Sequence, residues 1–105
     1  MNEEFPGYKL LLNYEVNPEK FHEYRQFMTT TYVPSMGTMG FQLREAWRTA
    51  YGAGPDHLVE FVCKQRGTLE DIVENDEWIG MNEQLQKYVT EFSYKGVPYR
   101  NITQF

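Results

Sequence analysis

Glu45 is the side chain whose position in this sequence most strongly suggests chemistry. It lies in an alternating run from Phe41 to Tyr51, where strict alternation places its carboxylate on the same face as Leu43 and Trp47. A carboxyl group held away from water between apolar neighbours can act as a general base toward an acidic substrate proton. A bulge, a strand end or pairing with an arginine would also account for it. We predict Glu45 as the base of a catalytic site.

Two histidines and one cysteine complete the set of reactive side chains. His22 lies one position off the apolar stripe of a predicted helix, where an imidazole could shuttle protons at neutral pH; an exposed helix surface is the alternative. His57 begins a strand beside a turn, and we predict a structural role for it. Cys63, alone in the chain, is predicted to be a small buried apolar residue. With no paired ligand spacing, we expect no metal and no cofactor.

Aromatic side chains make up 16% of the chain and could line a pocket for a flat organic ligand. The alternative is that these rings are ordinary core, although a core with a void would be compatible with both interpretations. The predicted pocket residues are Tyr14, Tyr24, Phe27, Trp47 and Trp78, with Tyr32 beside them.

Four segments are predicted to be β-strands. They run from Tyr8 to Val16, from Phe41 to Tyr51, from His57 to Lys64, and from about Phe92 to Val97. Between the second and the third lies Gly52-Ala-Gly-Pro-Asp56, where glycine and proline separate two alternating runs. A nucleotide-binding loop needs its glycines to open a helix, whereas these open a strand, so we predict a hairpin turn.

Helices are predicted in the two long intervals between strands. Asn17-Pro18 is a cap followed by proline at the first helical position, and Pro34 weakens the end of that helix after three threonines. Thr68-Leu-Glu-Asp71 resembles a capping box for a short helix, and Asn75-Asp76 begins a longer one. The apolar stripes comprise Phe21, Tyr24, Phe27, Met28, Thr31 and Tyr32 in the first helix, and Trp78, Met81, Leu85, Tyr88 and Val89 in the last.

The element order β-α-β-β-α-β predicts an α+β, ferredoxin-like protomer with a four-stranded antiparallel sheet. Two helices cover only one face of such a sheet. Four sets of apolar residues cannot all face the helices: Leu11, Leu58, Val62, and either Val97 or the aromatic residues of the last strand. Apolar surface therefore remains on the other face, beside Asn13, Arg44, Arg48 and Glu60. We therefore expect a homodimer in which the two sheets pack together.

The composition limits the class of protein. The 105 residues form one domain, residues 1–105, and the net charge of −5 without a basic cluster argues against a nucleic-acid partner. The longest aliphatic run, Leu10-Leu11-Leu12, is too short to span a membrane. The acidic start Met1-Asn-Glu-Glu has no signal-peptide pattern. We expect a cytoplasmic protein without a membrane partner.

Four segments of the chain resemble the NIPSNAP-like branch of the dimeric α+β barrel superfamily. They are the strand YKLLLNYEV, the tryptophan strand EAWRT with its following glycine, the strand HLVEFV, and Asn75-Asp-Glu-Trp78, which opens the last helix. The likeness runs from about Tyr8 to Tyr94 and includes no catalytic signature. It implies a ferredoxin-like protomer that pairs through its sheet, often with a cavity between helices and sheet. The superfamily includes cofactor-independent monooxygenases, isomerases and haem-degrading enzymes; for haem, Asn13 and Trp47 are present but neither histidine is placed to match.

These observations predict an uncharacterised homodimeric protein that binds a small organic molecule. It could be a cofactor-independent enzyme of monooxygenase or isomerase type, acting on an aromatic or enolisable substrate with Glu45 as base and His22 as proton shuttle. The alternative is a non-catalytic ligand-sensing or interaction module. An RNA-recognition domain shares the element order but needs exposed aromatics with basic neighbours, which HLVEFVCK does not provide.

Overall fold

A computed structural model describes residues 7–48 and 56–99, except for the side chains of Trp47, Arg48 and Tyr99. The strands are β1 (Gly7–Val16), β2 (Gln42–Arg48), β3 (His57–Cys63) and β4 (Val89–Tyr99). The helices are α1 (Phe21–Phe27), α2 (Val33–Thr38), α3 (Arg66–Ile72) and α4 (Asp76–Leu85). The predicted order of strands and helices is confirmed.

The four strands form one sheet in the order β2-β3-β1-β4, and each neighbouring pair is antiparallel. The two central strands are the first and third in the chain, as the ferredoxin-like arrangement requires. The predicted pairing of β2 with β3 is confirmed, while the turn predicted at Gly52 to Pro55 lies outside the described residues. The last strand is longer than predicted because it begins at Val89, which the helical stripe had included.

The first helical region does not end at its threonines. A 3-10 turn (Pro18–Lys20) leads into α1, a π-helical segment follows at Met28–Tyr32, and α2 continues through Pro34. The N–H of Val33 bonds the carbonyl of Met28, five residues back, which widens the helix just before the proline. A widened turn gives the proline ring room that a regular α-helix would deny it, so the chain stays helical where weakening was predicted.

The second helical region begins three residues earlier than its sequence suggests, since its N-cap is Gln65 and not Thr68. We predicted a capping box at Thr68, but α3 starts at Arg66 after an extended Gln65, and no side chain caps it. The Nε of Arg66 donates to Glu70 over 2.9 Å, an i,i+4 pair that supports the added turn. The cap predicted at Asn75 is confirmed, since its side chain accepts a hydrogen bond from the N–H of Trp78.

The core lies between the helices and one face of the sheet. Alternate residues of β1 face it, so Leu10, Leu12 and Tyr14 are buried to within 1% of complete. The helices contribute Tyr24, Met28, Tyr32, Met36, Ile72, Trp78, Met81 and Leu85.

The opposite face of the sheet carries no helix of its own among the described elements, and we call it the open face. It comprises Lys9, Leu11, Asn13, Gln42, Glu45, Leu58, Glu60, Val62, Ser93, Lys95 and Val97, which are in register across the four strands. Leu11, Leu58 and Val62 are half-buried there. The predicted mixture of apolar and polar groups on this face is confirmed for these residues.

Candidate functional site

The predicted pocket aromatics are packed into the core. Tyr14, Tyr24 and Trp78 are 0%, 7% and 2% exposed, and Phe27 is half-buried against them. The ring of Phe27 meets those of Tyr32 and Tyr88 at centroid distances of 6.0 and 5.8 Å. Five clefts on the described part of the chain are lined by other side chains. The burial of Tyr14, Tyr24, Phe27 and Trp78 matches the alternative that these rings are ordinary core. Their role in lining a ligand pocket remains a prediction.

Trp47 has only its backbone in the described part of the chain. It pairs with Leu58 of β3, a residue of the open face. The prediction that Trp47 lies beside the helix-facing aromatics assumed a strict alternation of faces along β2, and β2 does not keep this alternation.

The alternation fails at a bulge between Leu43 and Glu45. Leu43 pairs with Phe61, a core residue, but Glu45 pairs with Glu60 on the open face. One extra residue in a strand moves every later side chain to the other face, and Glu45 is accordingly exposed. The prediction that its carboxylate faces the helices is wrong for this reason, while its catalytic role remains a prediction.

His22 is exposed on α1. It borders a shallow groove with Arg25, Gln26 and Thr29, on the helical side of the molecule. Because Glu45 belongs to the open face of the sheet, the structure does not bring these two predicted catalytic residues into one cleft.

His57 and Asp56 form the arrangement best suited to proton transfer. The Nδ1 of His57 lies 2.9 Å from an Oδ1 of Asp56. The side chains of His57 and Asp56 are 16% and 28% exposed, so a solute can reach the pair. A carboxylate at Nδ1 favours the tautomer that carries its proton there, which leaves the Nε2 lone pair to accept another.

Buried phenols lie directly behind the His57 ring. Tyr14 stacks on it at 6.0 Å with an interplanar angle of 10°, and Tyr24 meets it edge-on at 5.9 Å. The hydroxyls of Tyr14 and Tyr24 are 2.6 Å apart, so one donates to the other. Burial raises the pKa of both phenols, and both remain protonated at neutral pH. The imidazole is thus held on a rigid aromatic support.

A cleft of about 310 Å³ opens beside this pair and is lined by Val16, Pro18, Phe21, Asp56 and His57. Phe21 is 40% exposed at its wall, an apolar surface that a small aromatic molecule could cover. Adjacent Asp-His at the start of a strand was the available sequence signal. It was missed because His57 was assigned a structural role on its position alone.

A second set of buried polar side chains connects the π-helical segment to α4. The indole Nε1 of Trp78 donates to the hydroxyl of Tyr32 over 2.9 Å, and that hydroxyl donates to the Oδ1 of Asn82 over 2.7 Å. Burial raises the pKa of Tyr32, although the bond from Trp78 opposes the rise. The indole Nε1, the Tyr32 hydroxyl and the Asn82 Oδ1 are thus partnered within the core, which indicates a structural role.

Cys63 is buried, as predicted, and its Sγ donates to the carbonyl of Gln65 over 3.5 Å. Burial raises the pKa of its thiol, which disfavours the reactive thiolate. Within residues 7–48 and 56–99, no three His, Cys, Asp or Glu side chains gather into a metal-binding group. In that same part of the chain, no helix has both the length and the apolarity needed to cross a bilayer.

Comparisons with known proteins place the fold. No protein-family model matches the chain, and no curated protein is significantly similar to it. A NIPSNAP family protein from Agrobacterium tumefaciens superposes with a TM-score of 0.65 at 9% identity, over 98% of this chain and 93% of that one. An uncharacterised NIPSNAP domain protein from Burkholderia xenovorans gives 0.64 at 10% identity, over 93% and 99%.

A protein from Nitrosomonas europaea, named as a candidate antibiotic biosynthesis monooxygenase, superposes with a TM-score of 0.61 at 13% identity, over 97% of this chain and 95% of that one. At such low identities the likeness concerns the fold. The resemblance predicted from the sequence is confirmed at that level: the chain has the ferredoxin-like fold of solved NIPSNAP family and monooxygenase-type structures.

Proposed function

We propose that this protein is a homodimer that binds a small aromatic, enolisable molecule in the cleft beside His57 and transfers a proton with the Asp56–His57 pair. The observation that carries the proposal is the 2.9 Å contact between His57 Nδ1 and Asp56 at the wall of an apolar cleft. A candidate base must be within reach of its substrate and held in orientation. His57 lines the cleft, and its contact with Asp56 orients the ring, which supports the proposal.

The reaction that suits this geometry is a keto–enol isomerisation. Nε2 of His57 takes a proton from the carbon next to a carbonyl. The electron pair of that C–H bond forms the new carbon–carbon double bond, and the π pair of the carbonyl moves to its oxygen. The protonated imidazole then gives the proton to that oxygen. Asp56 stabilises the imidazolium that forms between the two steps. No electron leaves the substrate, so the reaction balances without a co-reactant, whereas a monooxygenation would consume dioxygen.

The cleft favours a neutral aromatic ligand. Val16, Pro18 and Phe21 offer apolar contacts, and the charged group at the wall is the carboxylate of Asp56, which would repel an anion. A volume of about 310 Å³ suits a molecule with one aromatic ring and a short side chain.

The homodimer is supported by the open face. Leu11, Leu58 and Val62 are half-buried but carry no second layer among residues 7–48 and 56–99, and Glu60 lies among them only 6% exposed. Apolar residues that stay partly exposed beside paired polar groups are typical of a surface that a second sheet covers. A second copy of the chain presents a matching sheet.

A test of the site uses 1-phenylpropan-2-one, a neutral enolisable aromatic ketone, in D₂O. The wild-type protein should speed the exchange of its α-protons, measured by NMR. His57→Asn should lose roughly 10²-fold of this rate, as expected for the loss of a general base. Glu83→Gln, a change on the exposed surface of α4, is the matched control and should keep the full rate.

Glu45→Gln decides between the two candidate bases. If Glu45→Gln rather than His57→Asn removes the exchange, the base is Glu45 and the assignment to His57 is overturned. The packed, buried aromatics favour the second candidate function, a non-catalytic binding or interaction module. Shifts of the His57 ring resonances on adding the ketone, with no exchange in the wild type, would establish that function instead.

A further inference from the structure

One row of the open face crosses all four strands and has opposite charges at its two ends. Lys95 on β4 pairs with Leu11 on β1, Leu11 with Glu60 on β3, and Glu60 with Glu45 on β2. Residues directly opposite each other in antiparallel strands lie on the same face of the sheet. The row therefore reads positive, apolar, negative, negative from the β4 edge to the β2 edge.

The inner carboxylate is neutralised within its own chain. Glu60 is 6% exposed, and its two oxygens lie 3.8 Å from Lys9 Nζ and 3.4 Å from Arg44 Nε. A buried carboxylate needs such partners, since burying an unpaired charge is costly. Glu60 thus has little capacity left to attract a further cation.

The charges at the two ends of the row, Glu45 and Lys95, are not neutralised in this way. Glu45 and Lys95 are both exposed, and within the described part of the chain neither has an ion-pair partner. Glu45 also lies directly opposite Glu60, and like charges in that position destabilise a sheet. The two ends of the row are therefore complementary charges, one at each edge of the face, without a local match.

When the strands of the two sheets are aligned, two-fold symmetry offers two ways to stack this face on a copy of itself. The axis lies in the plane between the sheets and runs either along the rows or along the strands. With the axis along the rows, β2 covers β2 and like edges meet. With the axis along the strands, β2 of one copy covers β4 of the other. Only the second arrangement brings the negative end of the row onto the positive end.

Resting on the dimer of the proposed function, we infer that its two-fold axis runs along the strands and that Glu45 pairs with Lys95 of the other copy, twice per dimer. Facing sheets lie about 10 Å apart, a gap that a glutamate and a lysine side chain bridge together. Charges at the margin of an interface set orientation and partner choice more than affinity. The pair therefore selects the arrangement, while Leu11, Leu58 and Val62 supply most of the binding.

Charge reversal tests the pair, with the dimer dissociation constant measured by sedimentation equilibrium. Glu45→Lys and Lys95→Glu should each raise this constant roughly tenfold, since a reversal replaces two attractions with two repulsions. The double variant should return close to the wild-type value. Glu83→Lys and Lys87→Glu, outside the open face, are the matched controls and should leave it unchanged.

The outcomes separate the two proposals. A double variant as weak as the two single effects combined would overturn the Glu45–Lys95 pair while leaving the dimer in place. A wild-type protein that stays monomeric at all concentrations would overturn the homodimer itself.

Cross-linking supplies the geometry independently. In a Cys63→Ser background, the variant carrying both Glu45→Cys and Lys95→Cys should form a covalent dimer with a short bismaleimide, and each single cysteine variant should not. Cross-linking of Glu45→Cys alone would mean that like edges meet, which contradicts the inferred axis.

Discussion

The phenol oxygens of Tyr14 and Tyr24 lie 2.6 Å apart inside the core, where one hydroxyl donates to the other. Tyr14 belongs to β1 and Tyr24 to α1, and their rings meet edge to face at 5.8 Å and 71°. This pair joins the first helix to the sheet directly behind the ring of His57. Its integrity therefore bears on both the stability of the fold and the geometry of the candidate site.

Replacing either partner with phenylalanine should destabilise the protein. Tyr14→Phe or Tyr24→Phe leaves the other hydroxyl buried without a partner, at a cost of about 1–3 kcal/mol in the free energy of unfolding. The double variant should lose less than the sum of the two, because no orphaned hydroxyl remains. Urea denaturation measures this, with Tyr94→Phe, at 45% exposure, as control. Strictly additive losses would contradict the bond.

Alkaline pH should unfold the protein through its buried phenols. Burial raises the pKa of Tyr14, Tyr24 and Tyr32 above the ordinary 10.0. The stability they confer is complete below pH 10 and declines as the pH rises further, because the unfolded chain then releases protons that the folded chain keeps. For Tyr14 and Tyr32 the loss is about 1.4 kcal/mol per pH unit each. Tyrosinate absorbance should show that the exposed tyrosines ionise first. The buried tyrosines should ionise only when the protein unfolds, which circular dichroism monitors in parallel. Ionisation of all the tyrosines before unfolding would contradict this prediction.

The bond between Tyr32 and Asn82 should contribute to stability without affecting the site. Asn82→Ala removes the acceptor of the Tyr32 hydroxyl, 2.7 Å away, and should cost about 1–3 kcal/mol of unfolding free energy. The α-proton exchange rate of the ketone should persist at temperatures where the variant stays folded. Glu83→Ala on the exposed surface of α4 is the control, and an equal effect of the two changes would argue against the network.

Two glycines should respond to alanine with opposite signs. A Cβ at Gly96 in β4 would lie 2.8 Å from Leu69 Cδ1, so Leu69 must shift, and overpacking of this kind costs about 1–3 kcal/mol. A Cβ at Gly80 in α4 meets nothing within 4 Å, and alanine there should stabilise the helix by about 0.5–1 kcal/mol. Thermal denaturation of the two variants compares them, and a stabilising Gly96→Ala would contradict the close approach of α3 to β4.

Strands and helices followed from patterns that depend on local chemistry. Alternation in β1 identified the buried Leu10, Leu12 and Tyr14, and the caps at Asn17 and Asn75 form bonds as predicted. The leftover apolar residues of the open face were also found, since alternation identifies both faces of a regular strand. These predictions succeeded because each needed only the period of one element.

Departures from regular geometry could not be read in this way. The bulge before Glu45 turned the rest of β2 over, and the π-helical segment carried the chain past Pro34. Both depend on how neighbouring strands and helices pack, which a single segment does not encode. The predicted base consequently reached the open face, where it suits an ion pair better than a buried reaction.

By itself, the sequence determined the element order, the ferredoxin-like topology and a sheet with apolar residues on both of its faces. It could do so because hydrophobic periodicity and capping act over a few residues. Tertiary packing alone decided which groups distant in the sequence meet. It brought the ring of His57 against that of Tyr14 and left Glu45 and Lys95 at opposite edges of a shared face. Such meetings depend on register across strands, and one inserted residue reverses the outcome.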